Sequence, residues 1–316
     1  MTRHVITVGL YGMSLLLHTD SFPSAGQTVP AEILAVEPGG KGFNQAVSAA
    51  RNGVHAIFVT AVGDDAFGKQ FSNLCMEYKL EGICVCLPKS QTAAAAVLSD
   101  KFGESRVIVA QGACADVTAE CFDFQTLPQQ AVWLLQHEMP CEVNLAAARI
   151  AKQTGGTVIL NPAPARPIEK ELLHLIDYLI PNWGEAISIA GQKETASAGQ
   201  VADALHALGV KNVLITMGAQ GVWLSQRGEK GIRIPACKVH AADTSGAGDT
   251  FCGAFAACLA KGNTVQQAAK YANFASGLSV TKNGVMKAIP LRTKYRSLYT
   301  RKPYDRIERR PENAKV

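Results

Sequence analysis

Short apolar runs separated by amphipathic stretches predict an α/β fold: a three-layer α/β/α sandwich with a mainly parallel central sheet, joined to a small β-sheet. Three observations carry this. β-Branched runs recur as VITVGL (5–10), AIFVTAV (56–62), AVWLLQ (131–136), GTVILNP (156–162), IDYLIPN (176–182) and NVLITMG (212–218). Between most of them lie stretches of helical period such as NQAVSAARNG and QVADALHALG. Strands apolar on both faces belong in a parallel sheet covered by helices on each side. The third observation is a break in rhythm. Residues 11–38 and about 92–112 are strand-like without an intervening helix, and AAAAVLSDKFGESRVIVAQG reads as a hairpin around Gly103. Together they predict a small β-lid over the edge of the main sheet, all within one domain spanning 1–291.

Taken in chain order, the opening MTRHVITVGLYG turns polar too soon for a signal peptide and reads as a buried first strand. GGKGFNQAVSAARNG (39–53) sets paired glycines before a helix. Lys41 offers a cation and Asn44 an amide suited to a hydroxyl, although Gly39 and Gly40 read equally well as a hinge between lid and sheet. GDDAFGKQ (63–70) fits G-x-x-x-x-G-K, but a P-loop needs Ser or Thr after the lysine to hold Mg²⁺, and Gln70 stands there. Asp64 and Asp65 would repel phosphate, so a turn with acidic helix-start residues is the better reading. Later strands end at Glu138, Asn182 and Gly218, and ligands bind beyond the carboxyl ends of such strands. His137 beside Glu138 reads as a hydrogen-bonded wall residue, and Trp133 and Trp223 as core.

DTSGAGDTFCGAF (243–255) asks for more than a helix cap. Thr244 or Ser245 could cap the helix without Gly246, Gly248 or Asp249. Glycines let a ligand approach the backbone, and N–H groups at a helix start form an anion hole. A carboxylate in the same turn, ionised at neutral pH, suits a general base that deprotonates an alcohol beside a phosphoryl group. Cys252, one helical turn on, reads as packing. A dinucleotide fingerprint is excluded, because GAGDTFCG brings its third glycine two residues late for G-x-G-x-x-G.

Composition bounds the remaining classes. The chain has 316 residues, 47% hydrophobic, with mean hydropathy near zero and no apolar run of membrane-spanning length. The formal charge of +5 is a property of the tail: residues 292–316 hold nine Lys or Arg against three acids, leaving the first 291 near −1. Neither nucleic acid nor membrane is therefore an expected partner. The tail itself reads as a solvated terminus. Nine cysteines lack metal-ligand spacing; apart from Cys84 and Cys86, most sit among apolar residues as reduced core thiols would, which suggests a cytoplasmic protein.

GGKGFNQA and DTSGAGDTFCGAF together resemble the N- and C-terminal signatures of the ribokinase-like, phosphofructokinase B-type carbohydrate kinases. LNPAPAR (160–166), PNWGEA (181–186) and TMGAQGVW (216–223) are similar to ribokinase segments, and the likeness runs from about residue 5 to 290. The resemblance implies ATP-dependent phosphorylation of a sugar's primary hydroxyl, with Mg²⁺. The catalytic turn falls on Gly246, Ala247, Gly248 and Asp249, with Asp249 the base. Asn182 and Glu185 match the element that organises Mg²⁺, through water, and phosphate. Thr216, Gly218, Gly221, Gly248 and Asn273 match nucleotide-side positions. Gly40, Lys41, Asn44 and Glu138 fall on the sugar side. A monovalent-cation site, for K⁺, would fall near Asp243, Ser245, Ser279, Lys282 and Gly284. Family members dimerise through the β-lid, so a homodimer is implied as well.

One departure bears on the substrate. Ribokinases end the first strand with an Asn-x-Asp pair that holds sugar hydroxyls, and here Gly12 and Ser14 occupy those positions. Each unmade buried hydrogen bond costs roughly 1–3 kcal/mol, so ribose should bind at least about tenfold less tightly. A sugar lacking one of those hydroxyls, or a bulkier one using space at Gly12, is expected instead. Two alternatives stand beside this reading: a nucleoside kinase of the same fold, and a catalytically idle sugar-binding or regulatory protein.

Overall fold

Strand β1 (Val5–Val8) opens the main sheet, and β2 (Gly12–Thr19) and β3 (Glu32–Gly39) leave it for a second, smaller one. β4 (Ala56–Gly63) and β5 (Glu81–Leu87) return to the main sheet before β6 (Ala93–Asp100) and β7 (Ser105–Ala110) complete the small sheet. β8 (Val132–Gln136), β9 (Thr157–Asn161), β10 (Tyr178–Leu179), β11 (Asn212–Thr216), β12 (Val222–Gln226) and β13 (Ile232–Ile234) finish the main one. This computed structural model describes residues 2–102 and 104–292. Gly103 of the expected hairpin and all of the basic tail beyond Arg292 lie outside the described residues.

The main sheet runs β13-β12-β11-β10-β9-β8-β1-β4-β5, parallel except at β12 and β13. All six strands expected from apolar runs are present and parallel. The near-continuous hydrophobicity has a plain cause: successive side chains serve opposite helical layers. In β8, Val132 and Leu134 pack into one core while Trp133 and Leu135 pack into the other. Helices Lys41–Arg51, Ala247–Ala260 and Val265–Ser279 cover the first face, contributing Phe43, Val47, Phe251, Phe255 and Phe274. Helices Cys141–Gln153, Lys170–Leu175, Trp183–Ala190 and Ala198–Ala207 cover the second.

Strands β5, β12 and β13 escape a search for apolar runs. β5 is the edge strand and alternates between exposed and partly buried residues, so its pattern is half polar. The GDDAFGKQ segment behaves as the acidic turn expected. Asp65 caps helix Ala66–Tyr78 by accepting from the Gly68 N–H, and Lys69 pairs with Asp64 at 3.1 Å.

Chain order reverses about β1, which has β4 on one side and β8 on the other. A crevice opens beyond the carboxyl ends at such a switch point. The small sheet, ordered β3-β2-β6-β7, lies over it. Its β2 and β6 run parallel in the register Gly12↔Ala93, and its outer strands pair antiparallel.

One contact fixes where the two glycine-rich motifs meet. A Cβ on Gly253 would lie 2.3 Å from the Gln45 carbonyl oxygen and 2.5 Å from Ser48 Cβ. Helices Lys41–Arg51 and Ala247–Ala260 therefore cross almost backbone to backbone, and the Ser48 hydroxyl donates to the Thr250 carbonyl at 2.9 Å. Only a residue without a side chain permits that approach.

Candidate active site

The crossing brings Asp249 against the first turn of helix Lys41–Arg51. Asn44 Nδ2 donates to Asp249 Oδ2 at 2.9 Å, and Gln45 Nε2 donates to Oδ1 at 3.0 Å. Asp249 is 6% exposed, and that remainder opens onto two cavities. The first, about 250 Å³, lies under the glycine turn and is lined by Asn182, Glu185, Thr216 and residues 246–249. The second, about 320 Å³, lies beneath the small sheet, lined by Gly12, Ser14, Gly40, Asn44 and Glu138 with apolar Val97 and Val107. Lys41 and Asp249 line both.

The glycine turn differs from residue to residue. Gly246 is the N-cap residue in the left-handed region (φ 69°), where its absent Cβ would lie 2.5 Å from Val285 Cγ1. Gly248 sits in the first helical turn, and a Cβ there would meet nothing within 4 Å. The Ala247 N–H already donates to the Thr244 carbonyl at 3.3 Å, and Thr250 N–H to Gly246 at 2.8 Å. Among the described residues, the N–H groups of Gly248 and Asp249 have no such acceptor. The donors of this helix start therefore centre on 248 and 249, and Ala247, expected among them, is already engaged.

Charges converge at the cavity junction. The Asp249 carboxylate raises the Lys41 ammonium above its ordinary value, against the effect of burial, with help from Glu138 and Glu185. Burial pushes the Glu138 carboxyl up to about 7, partly offset by Lys41 and by the backbone N–H groups of Lys41 and Gly42. The Lys41 N–H donates to Glu138 Oε2 at 2.7 Å, so Glu138 occupies the start of that helix. Burial also raises Glu185, countered by the Asn182 backbone and Lys41. Burial and the Arg166 charge pull His137 down to about 4, leaving a neutral ring whose Nδ1 faces the Pro164 carbonyl. Cys252 is held as a thiol, far above the ordinary range, by burial and by Asp249.

Asn182 and Glu185 form a capping box at the start of helix Trp183–Ala190: Asn182 Oδ1 accepts from the Glu185 N–H at 2.8 Å, and Glu185 Oε2 from the Asn182 N–H at 2.9 Å. Beyond them a third cavity, about 600 Å³, runs past Thr216, Met217 and Gly218. Gly221 and Asn273 are not brought to these cavities. A Cβ on Gly221 would meet the Ile234 carbonyl at 2.0 Å, and Asn273 Nδ2 donates to the Pro235 carbonyl at 2.7 Å. Both fasten the β13 segment.

Of the residues expected around a monovalent cation, Asp243, Ser245 and Gly284 are joined directly, and Ser279 and Lys282 belong to a separate hydrogen-bonded turn. Asp243 Oδ1 accepts from Ser245 N–H at 2.8 Å and Oδ2 from Gly284 N–H at 2.9 Å. Burial opposes ionisation of Asp243, but those N–H groups and the Ser245 hydroxyl hold its carboxyl below the ordinary range. Ser279 Oγ donates to the Ser276 carbonyl, and Lys282 N–H to that of Ser279.

The space expected at Gly12 is absent. A Cβ there would lie 2.3 Å from the Ala93 carbonyl oxygen, because the parallel β2–β6 pairing fills it. No bulkier sugar gains room from this glycine. Sequence reasoning also passed over Gln45 and Asn161, whose buried amides join Asp249 to β9. Both lie inside quoted motifs, but a glutamine in a helix carries no chemical signal until its neighbour across the fold is known.

Comparison with known proteins identifies the family of the fold. A family model described as pfkB family carbohydrate kinase matches residues 2–292. A ribokinase of Bacillus subtilis (strain 168) is 36% identical over 304 residues, covering 94% of this chain and 99% of that protein. The crystal structure of ribokinase from Thermotoga maritima superposes with a TM-score of 0.85 at 34% identity, covering 95% of this chain and 100% of that one. Arabidopsis thaliana ribokinase complexed with ribose and ATP gives 0.83 at 29% identity, covering 94% and 99%.

Proposed function

The chain belongs to the pfkB family of carbohydrate kinases and is an ATP-dependent sugar kinase of the ribokinase-like kind, and on that premise we propose that it phosphorylates the primary hydroxyl of a pentose or related sugar with Asp249 as base. The observation that carries the reading is the position of Asp249 and Lys41 at the junction of two cavities, one under a helix start and one under the small sheet.

In this reading the sugar occupies the cavity beneath the small sheet, with Asn44, Glu138 and Ser14 as hydroxyl partners. Asn44 Oδ1 is buried with no hydrogen-bond partner among the described residues, so it is a ready acceptor for a sugar hydroxyl. Asp249 takes the hydroxyl proton as the sugar oxygen bonds to the γ-phosphorus of ATP and the bond to the ADP oxygen breaks. The N–H groups of Gly248 and Asp249, together with Lys41, stabilise negative charge on the moving phosphoryl group. The nucleotide extends past Thr216 and Gly218.

Magnesium fits the oxygen donors of Glu185 and Asn182. Among the described residues no group of three His, Cys, Asp or Glu could cage a metal, which suits an ion that arrives on phosphates and keeps its waters. When bound, Mg²⁺ supplies neutralisation of phosphate charge. K⁺ is proposed for the Asp243–Gly284 loop pair, through backbone carbonyls; activity measured with and without K⁺ decides this.

Ser14 offers one hydroxyl where a ribose site offers a carboxylate, and Val97, Val107 and Ala93 wall the same cavity. A pentose asking fewer hydrogen bonds there, a deoxypentose among them, suits it better than ribose. The filled space at Gly12 gives no added room for a nucleoside base. We place the enzyme in the cytoplasm, since the nine free cysteines suit a reducing compartment. Among the described residues no helix is long and apolar enough to cross a membrane. The outer face of the small sheet exposes Ile33, Val36 and Ile108, a surface suited to a second copy, so we propose a homodimer through it, to be tested by sedimentation.

Asp249→Asn tests the core reading. It should lower kcat about 10²–10⁴-fold with ATP binding unchanged, on whichever pentose, deoxypentose, hexose or nucleoside proves the best acceptor. An unchanged kcat removes Asp249 from the mechanism. Binding without turnover across that panel would favour an idle binding protein.

A further inference from the structure

We infer that Gln45 is a positioning residue for the base, fixing which oxygen of Asp249 takes the proton; the inference rests on the reading of Asp249 as that base. Gln45 is fully buried, so water cannot satisfy its amide. Its orientation follows from its neighbours. Asn161 Nδ2 donates to the Ile180 carbonyl at 2.8 Å, which leaves Asn161 Oδ1 as an acceptor facing Gln45. Gln136 Nε2 donates to Gln45 Oε1 at 2.8 Å. Gln45 Nε2 therefore divides its two hydrogens between Asn161 Oδ1 and Asp249 Oδ1, each at 3.0 Å. The reversed amide would set oxygen against two acceptors and nitrogen against the Gln136 donor, with every group buried.

Asp249 Oδ1 is thus pinned by a donor that cannot turn away. Among the described residues Oδ2 meets only the amide of Asn44, a residue that itself lines the cavity beneath the small sheet. Oδ2 keeps a second lone pair for the hydroxyl proton while Asn44 Oδ1 accepts from the sugar, and Gln45 keeps the carboxylate from rotating. Gln45 touches no substrate in this arrangement and acts through Asp249 alone. Lys41, Glu138, Glu185 and the Cys252 thiol also act electrostatically on Asp249 or its neighbours, and all four are unchanged by a substitution at 45.

The test uses the full chain, with kcat and kcat/KM measured from about pH 5 to 9, ATP binding by calorimetry, and Tm. Gln45→Glu places a carboxylate oxygen against Asp249 Oδ1, so the two acids must share a proton. The acid limb of kcat/KM should move up by at least about one pH unit, with activity recovering toward alkaline pH and ATP affinity within threefold of wild type. Gln136→Leu removes the donor that orients Gln45 without touching Asp249. It should lower kcat about 10–100-fold at unchanged ATP affinity, and it keeps the question open to refutation if the glutamate variant does not fold. Unaltered pH limbs and kcat in a folded variant, whatever happens to Tm, would overturn the role of Gln45. An Asp249→Asn enzyme with wild-type kcat would instead overturn the base assignment, so the two failures are distinguishable.

Discussion

Replacing Gly248 with alanine should separate stability from activity, with the two moving in opposite directions. Gly248 has ordinary helical geometry, and an added Cβ would meet no atom within 4 Å. Nothing in the fold resists the methyl group, and alanine in a helix is worth up to about 1 kcal/mol over glycine. The variant should therefore melt at the wild-type temperature or roughly 1–3 °C above it. Gly248 lines the cavity where its own N–H and that of Asp249 have no internal acceptor, so the methyl is added at that wall. If a phosphoryl group is held there, the methyl keeps it from those donors. Losing one such donor costs about 10²–10³ in kcat. Gly246→Ala is the contrast. Its φ of 69° and the 2.5 Å approach to Val285 Cγ1 mean strain and collision, so this variant should melt several degrees lower. Calorimetric melting and coupled ADP-release kinetics on both variants decide the matter. Wild-type kcat in Gly248→Ala would refute the placement of the phosphoryl group, and a large fall in its Tm would refute the geometry.

Two further outcomes follow from the acceptor cavity. Burial raises Glu138 from an ordinary 4.5 to about 7, so between those values the folded protein holds a proton that the unfolded chain has released. Stability then falls as pH rises through that window, by about 1.4 kcal/mol per pH unit and about 3 kcal/mol in all, and is level above it. Glu138→Gln keeps an acceptor for the Lys41 N–H but removes the titration; its Tm relative to wild type should rise between pH 5 and pH 8, and a constant difference would contradict the buried, protonated carboxyl. Ser14→Asp should improve ribose binding by roughly tenfold or more, from one charge-assisted hydrogen bond of about 1.5–3 kcal/mol. Gly12→Asn should only destabilise, because its Cβ collides with the Ala93 carbonyl; titration of each variant with ribose checks both.

Much of this was legible from residue order. Apolar runs mark the parallel strands because a strand buried on both faces has no polar positions to spare. The glycine pairs before Lys41 and around Asp249 announce helix starts open to a ligand. Edge strand β5 was not legible, since its side chains alternate between exposed and partly buried, and β12 and β13 were not because each is short and interrupted by polar residues. Gly12 misled for a related reason: a missing side chain reads as space, but the backbone of β6 occupies it.

Sequence alone determined the layered α/β fold, the two glycine-rich turns and the acid beside one of them, because these depend on local pattern and on residues close in the chain. Only tertiary structure decided that Gln45 and Asn44 grip the two oxygens of Asp249, and that this acid faces two cavities at once. Those contacts join residues more than two hundred positions apart. They exist because Gly253 lets two helices cross at backbone distance, a pairing that no local periodicity encodes.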